Sequence, residues 1–299
     1  MKILSFGSMN IDNTYSVDEF VQPGETMTAK NLSKFCGGKG LNQSIALAAA
    51  GADVAHFGCV GEDGDILLDM LKSRGVNTDS VIKIDNITSG HAIIQVDSHG
   101  QNSILLYPGA NRRMTPELID RELEKYSCGD WLLIQNETNC LEYIMRAANK
   151  KGMKIAFNPS PMDGTVSTLP LELVDLFLVN EIEGAAVTGK EITEEITAEF
   201  EKLFPNAAVI LTLGKKGSIF KSEKDMLFQP SYCGTVKDTT GAGDTYTGFF
   251  IANYIKGVSP QECMRIAAMA STVQISRDGA AIAIPTKQEV LNALKNYCR

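Results

Sequence analysis

Short apolar runs alternate with amphipathic stretches along most of the 299-residue chain, and this alternation restricts the fold more than any other feature. Residues 2–6, 54–59, 131–135, 154–157, 176–179 and 209–213 read as strands. Residues 41–50, 66–74, 141–151 and 193–204 carry helical patterns, the first two stopped by Gly51 and Gly75. Strand–helix alternation predicts an α/β fold, a mostly parallel sheet covered on both faces. Ligands of such sheets bind at the carboxyl ends of the strands. The last third is helical, with helices over 241–256, 260–277 and 286–297. Segments 13–33 and 88–108 break the pattern and read as extended β pieces. The second forms two strands around a turn at Ser98-His99-Gly100. Together they predict a small accessory β layer, either a lid over the sheet edge or a plain surface hairpin.

Charge narrows the partners. The chain has 28 Lys and Arg against 36 Asp and Glu, a net charge of −8. That excess argues against a nucleic-acid or anionic-membrane surface, which needs clustered cations. No run approaches the roughly 18 apolar residues of a membrane span. The first apolar stretch is broken by Asn10 and Asp12, too early for a signal peptide. The seven cysteines (36, 59, 128, 140, 233, 263 and 298) are odd in number and form no CxxC pair. They read as reduced, mostly buried thiols, with Cys36 set apart by the Gly-rich loop beside it. His56, His91 and His99 have no metal-like or triad-like spacing.

The densest chemistry lies in DTTGAGDTYTG, Asp238 to Gly248. Gly241-Ala242-Gly243 before a helical run leaves backbone N–H groups free at a helix start, which makes an anion site. Asp244 is unexpected beside an anion. It fits either a base taking a proton from an attacking hydroxyl or a simple helix N-cap. Two lookalikes fail. GAAVTGK, Gly184 to Lys190, has Walker spacing, but Glu191 stands where Ser or Thr is needed. Gly241-x-Gly243 lacks the third glycine of a dinucleotide fingerprint. In CGGKGLNQS, Cys36 to Ser44, Gly37, Gly38 and Gly40 allow close backbone approach, and Lys39 and Asn42 add donors. Asn10 and Asp12 alternate onto one side after the first strand. With Asn42 and Glu137 they form a set of amides and carboxylates suited to vicinal hydroxyls, hence a sugar. Ordinary turn chemistry is the competing explanation. In LVNEIEG, Asn180 and Glu183 could hold water around a phosphate-bound Mg²⁺. In LTLGKKGS, Leu211 to Ser218, the glycine turn could pass a nucleotide or simply begin a hairpin.

These motifs, in this order, resemble the ribokinase-like (PfkB) carbohydrate kinases along essentially the whole chain. The resemblance also rests on GQNSILLYPGAN (Gly100 to Asn111), FNPSP (Phe157 to Pro161) and SRDGAAIAIP (Ser276 to Pro285). It implies one α/β kinase domain over residues 1–299: a three-layer α/β/α core with a mostly parallel sheet, plus a small β-sheet lid from 13–33 and 88–108. It implies a cytoplasmic, ATP-dependent kinase of a pentose primary hydroxyl, D-ribose giving D-ribose 5-phosphate. Deoxyribose, a fructose-type ketose or a nucleoside stay open as acceptors, and so does a non-catalytic sugar sensor. Asp244 would be the base, with the amides of Gly241, Ala242 and Gly243 as anion hole. Asn10, Asp12, Gly38, Lys39, Asn42 and Glu137 would hold the sugar. Thr212, Gly214 and Gly217, with Gly243, would line the ATP site, and Asn180 and Glu183 would organise Mg²⁺ through water. A monovalent cation, usually K⁺, would sit by Asp238 and Thr240 with Gln274, Arg277 and Gly279 lending mainly carbonyls. Ala283 departs from the pattern, standing where members often carry a Ser-like oxygen, so its ligand would be a carbonyl or water. Leu41 and Tyr246-Thr247 are further departures, neither expected to touch the chemistry directly. The lid implies a homodimer.

Overall fold

The computed structural model describes residues 1–297. In chain order the elements begin with β1 (Ile3–Phe6), β2 (Asn10–Ser16), β3 (Asn31–Gly37) and α1 (Lys39–Ala49). Then come β4 (Val54–Val60), α2 (Asp65–Ser73), β5 (Val81–Lys83), β6 (Gly90–Val96), β7 (Asn102–Tyr107) and α3 (Pro116–Leu123). The middle holds β8 (Trp131–Gln135), α4 (Leu141–Lys150), β9 (Lys154–Asn158), β10 (Leu176–Asn180), α5 (Glu181–Thr188) and α6 (Thr193–Leu203). The chain continues through β11 (Ala208–Thr212), β12 (Gly217–Lys221), β13 (Met226–Pro230), α7 (Ala242–Tyr254), α8 (Pro260–Gln274) and α9 (Lys287–Tyr297).

Among the described residues the large sheet runs β13-β12-β11-β10-β9-β8-β1-β4-β5. It is parallel from β11 to β5 and ends in the antiparallel β12 and β13. All five residues of β8 are buried, because helices cover both sides. Successive residues of one strand feed opposite cores. Trp131 and Leu133 pack with Ile45 of α1, Phe249 of α7 and Met264 of α8. Leu132 and Ile134 pack with Ile119 of α3, Ile144 of α4 and Phe200 of α6. This is the expected three-layer architecture.

A separate four-stranded sheet has the order β3-β2-β6-β7, with β2 and β6 parallel. The β6–β7 hairpin turns at residues 97–101, as expected. The first segment differs from its expectation. Its strands occupy Asn10–Ser16 and Asn31–Gly37, and the residues between them form turns and irregular chain. Both strands therefore continue directly from the GSMNID and GGKG motifs and project from the sheet edge that carries them.

The six described cysteines are free. Cys36, Cys59 and Cys263 are buried, Cys140 is half-buried, and Cys128 and Cys233 are exposed, so burial is less general than expected. Cys298 lies outside the described residues. No described helix is long and apolar enough to cross a membrane.

Two helices meet closely at the centre. A Cβ on Gly248 of α7 would lie 2.4 Å from Ala46 Cβ and 2.7 Å from the Leu47 nitrogen of α1. Only a glycine lets these backbones approach so far. Gly248→Ala is expected to cost about 1–3 kcal/mol through overpacking, seen as a lower midpoint in urea or thermal unfolding. An unchanged midpoint would show that α1 and α7 can separate freely.

Candidate active site

Parallel strands end on one edge, and the polar residues that follow them meet there. The register sets Phe6 beside Ile134, Gln135 beside Asn158, and Asn180 beside Thr212. Ser8, Glu137, Asn158, Asn180 and Thr212 are thus collected along that edge. Over it, α1 and α7 bring their N-termini together.

Asp244 lies at the third position of α7, whose N-cap is Gly241 in the left-handed region at φ 76°. Its carboxylate does not cap the helix. One oxygen accepts from Asn42 Nδ2 at 3.0 Å, and the other from Gln43 Nε2 at 2.9 Å. Gln43 is itself held, donating to Asn158 Oδ1 at 3.0 Å and accepting from Gln135 Nε2 at 2.8 Å. The capping alternative for Asp244 is therefore excluded by geometry. The Ala242 N–H is spent on the Thr239 carbonyl at 3.2 Å, so it is not open to an anion as expected. The exposed Gly243 lines the cavity, and its N–H has no partner among the described residues.

That cavity has a volume of about 240 Å³. Lys39, Asn180, Glu183, Thr212, Gly241, Ala242, Gly243 and Asp244 line it, together with Asn158, Ser160 and Tyr246. Asn180 and Glu183 form a capping box at the start of α5. Asn180 Oδ1 accepts from the Glu183 N–H at 2.8 Å, and Glu183 Oε2 accepts from the Asn180 N–H at 3.0 Å. This box leaves Asn180 Nδ2 and the other Glu183 oxygen for the cavity. Burial would lower the Lys39 pKa, but the charges of Asp244, Glu137 and Glu183 outweigh it and raise the pKa. The ammonium is thus stabilised between three carboxylates.

The second polar set stands where the small sheet joins the large one. Asn10 and Asp12 share one face of β2, and glycines make room for both. A Cβ on Gly37 would lie 2.1 Å from Asp12 Oδ2, and one on Gly90 would lie 2.2 Å from Asn10 Oδ1. Asn111 Nδ2 donates to Asn10 Oδ1 at 2.8 Å. Glu137 accepts from Ser8 Oγ and from the Lys39 N–H at 3.0 Å. Gly38 turns the chain into α1 at φ 94°. Burial first, then the Glu137 charge, pushes the Asp12 carboxyl up to about 6. Burial likewise raises Glu137.

Residues 1–287 match the pfkB family of carbohydrate kinases. The chain belongs to that family. It is accordingly a phosphotransferase with an alcohol acceptor. It is 33% identical over 298 residues to the ribokinase of Haemophilus influenzae, covering 97% of each chain. Its fold superposes on Arabidopsis thaliana ribokinase complexed with ribose and ATP at a TM-score of 0.87. Identity to that protein is 30%, and 98% of each chain is covered. The ADP complex of ribokinase from Cryptococcus neoformans matches at 0.86, with 31% identity over 97% of this chain and 99% of that one.

Thr212 reaches the cavity, but Gly214 and Gly217 are absent from its lining. Gly217 also meets a packing requirement, since a Cβ there would lie 2.1 Å from the Gln229 carbonyl oxygen of β13. The monovalent-cation residues do come together, but as a set already satisfied. Asp238 accepts from the Thr240 and Gly279 N–H groups, each at 2.9 Å. Ala283 offers its carbonyl to Arg277, and the Gln274 carbonyl accepts from the Arg277 N–H at 3.1 Å. The carbonyls of Thr240 and Gly279 accept from the Gln274 side chain. These residues do not fit a bound cation. Gln43, Asn111, Ser8 and Asn158 are site residues that sequence reasoning left without a role. Gln43 adjoins Asn42 in a motif, but only the α1–α7 contact turns it onto Asp244.

The raised Asp12 pKa has a stability consequence. Between its unfolded value near 3.8 and about 6, the native state binds the extra proton, so the stability advantage of the protonated form is lost as pH rises through about 6. Asp12→Asn is expected to raise Tm at pH 8 and to give a smaller gain at pH 4.5. An equal gain at both pH values would mean that Asp12 is not perturbed.

Proposed function

We propose that this chain transfers the γ-phosphoryl group of ATP to the primary hydroxyl of D-ribose, giving D-ribose 5-phosphate. The observation that carries the reading is the setting of Asp244. Its carboxylate borders the cavity beside Gly243, and both oxygens are aimed by donors from α1, which begins at the sugar-type residues Gly38 and Lys39. A carboxylate held at a helix start next to a free amide suits a base that takes the hydroxyl proton as the oxygen attacks phosphorus. The Gly243 amide and the helix dipole stabilise the charge on the transferring group.

Lys39 belongs to both halves of the reading. Its N–H fixes Glu137 on the sugar side, while its ammonium borders the phosphate cavity. Asn10, Asp12, Asn42 and Glu137 would hold ribose hydroxyls. Thr212 would border the nucleotide. Glu183 and Asn180 keep one free polar atom each, which fits a Mg²⁺ that retains its waters. When bound with ATP, that ion supplies charge neutralisation across the phosphates.

The small sheet is proposed as a lid over the sugar and as the dimer contact, within a single kinase domain. Its site face continues outward into Phe35, Ile104 and Leu106, which are 41%, 58% and 44% exposed. Such an apolar patch beside a binding site marks an association surface. The free thiols are in keeping with a cytoplasmic location.

ADP release, coupled to a dye and run over D-ribose, 2-deoxyribose, fructose and nucleosides, tests the acceptor. Turnover is expected with ribose, falling by about three orders of magnitude or more in Asp244→Asn, while ribose and ATP still bind. Near-normal turnover in that variant would sink the base assignment. Turnover with a nucleoside but not ribose would keep the kinase and discard the acceptor. Light scattering is expected to give a dimer mass that Ile104→Lys converts to a monomer. A wild-type monomer at micromolar concentration would remove the dimer.

A further inference from the structure

Gln274 ends α8 and is fully buried. Its Nε2 lies 3.0 Å from the Thr240 carbonyl oxygen, 3.1 Å from that of Ala280 and 3.3 Å from that of Gly279. Its Oε1 accepts from Thr245 Oγ1 at 3.1 Å. Carbonyls accept only, and the hydroxyl needs an acceptor, so the amide can face only this way. Three carbonyl oxygens from two segments thus converge on one NH₂ group. Converging carbonyl dipoles repel one another and demand a positive partner, which in selective ion sites is a cation. Here the partial positive charge of the amide meets that demand. An ion touching the same three oxygens would have to occupy the place of the nitrogen. Neighbouring carbonyls are served in the same way: Arg74 donates to Ala281 at 3.2 Å and to Ile284 at 2.6 Å.

We propose that the Gln274 side-chain amide stands permanently where a monovalent cation would otherwise bind, and that phosphoryl transfer by this chain is independent of K⁺. The inference rests on the kinase reading above. Gln274 is a positioning residue. Through the Thr240 carbonyl and Thr245 it ties the Gly241–Gly243 turn, and with it Asp244, to the 279–280 segment. The tie is covalently supplied and so is present at any salt composition.

The wild-type full-length protein tests this directly in KCl and in tetramethylammonium chloride of equal ionic strength. The kcat for ADP release is expected to agree within about twofold, and Tm to be the same in both salts. Activation by K⁺ of roughly tenfold or more, or a K⁺-specific rise in Tm, would overturn the proposal. Gln274→Ala opens the carbonyl cluster. It is expected to lose roughly tenfold in kcat without K⁺ and to recover on adding K⁺, with a Tm increase that Li⁺ does not produce. A folded Gln274→Ala protein that is fully active without K⁺, or that K⁺ neither activates nor stabilises, would also overturn it. If Gln274→Ala does not fold, the wild-type comparison still decides. Absence of ADP release with every acceptor would instead defeat the kinase reading, while the Tm comparison would still decide the cation question.

Discussion

The contact between the first turns of α1 and α7 is the constraint on which the site depends. Gly248 brings the helix backbones together, and at their N-terminal ends Asn42 and Gln43 grip the two oxygens of Asp244. A buried carboxylate needs such partners, since leaving it unpaired costs far more than the pair of hydrogen bonds returns. The grip continues through Gln43 to Gln135 and Asn158, at the ends of β8 and β9. The position of Asp244 is therefore set by helices and strands, not by a loop, the kind of support that holds a functional group precisely.

Charge is organised on the same scale. A chain of net charge −8 cannot gather ATP by its overall field. Positive potential is concentrated instead at the α7 start and at Lys39, whose ammonium is kept charged by three surrounding carboxylates. Carboxylates collect instead where the small sheet joins the large one, at Asp12 and Glu137, both raised by burial. The division suits a polyanion on one side and a neutral polyol on the other. The Gln274 cluster extends the same economy, with a neutral amide in place of an ion.

Much of this was legible in the sequence. Strands buried on both faces read as unbroken apolar runs, so six of the parallel strands and the helices read between them fall within a residue or two of expectation, while the short edge strand β5 and helix α3 carry too little pattern to be read. The motif residues Asp244, Lys39 and Glu137 do lie together at one edge. The small sheet was less clear. Its first segment reads as β throughout, yet the strands lie at its two ends, because pairing of Asn10–Ser16 with Gly90–Val96 is a long-range choice. Gly217 reads as a nucleotide contact, and the structure adds a hairpin requirement at the same position. Glycine patterns report close approach but not what approaches.

By itself the sequence determined the layer architecture, the order of the motifs and the chemical types at the site, because periodicity and residue type are local properties. Tertiary structure decided which donors hold Asp244, which of the GAG amides is spent on the backbone, and that the Gln274 side chain points into a cluster of carbonyls. Each of these depends on groups brought together from distant segments of the chain, such as Gln43 and Asp244 or Thr240 and Gly279. No pattern along the chain encodes the distance between such groups; only the packing of α1, α7 and α8 over the sheet edge does.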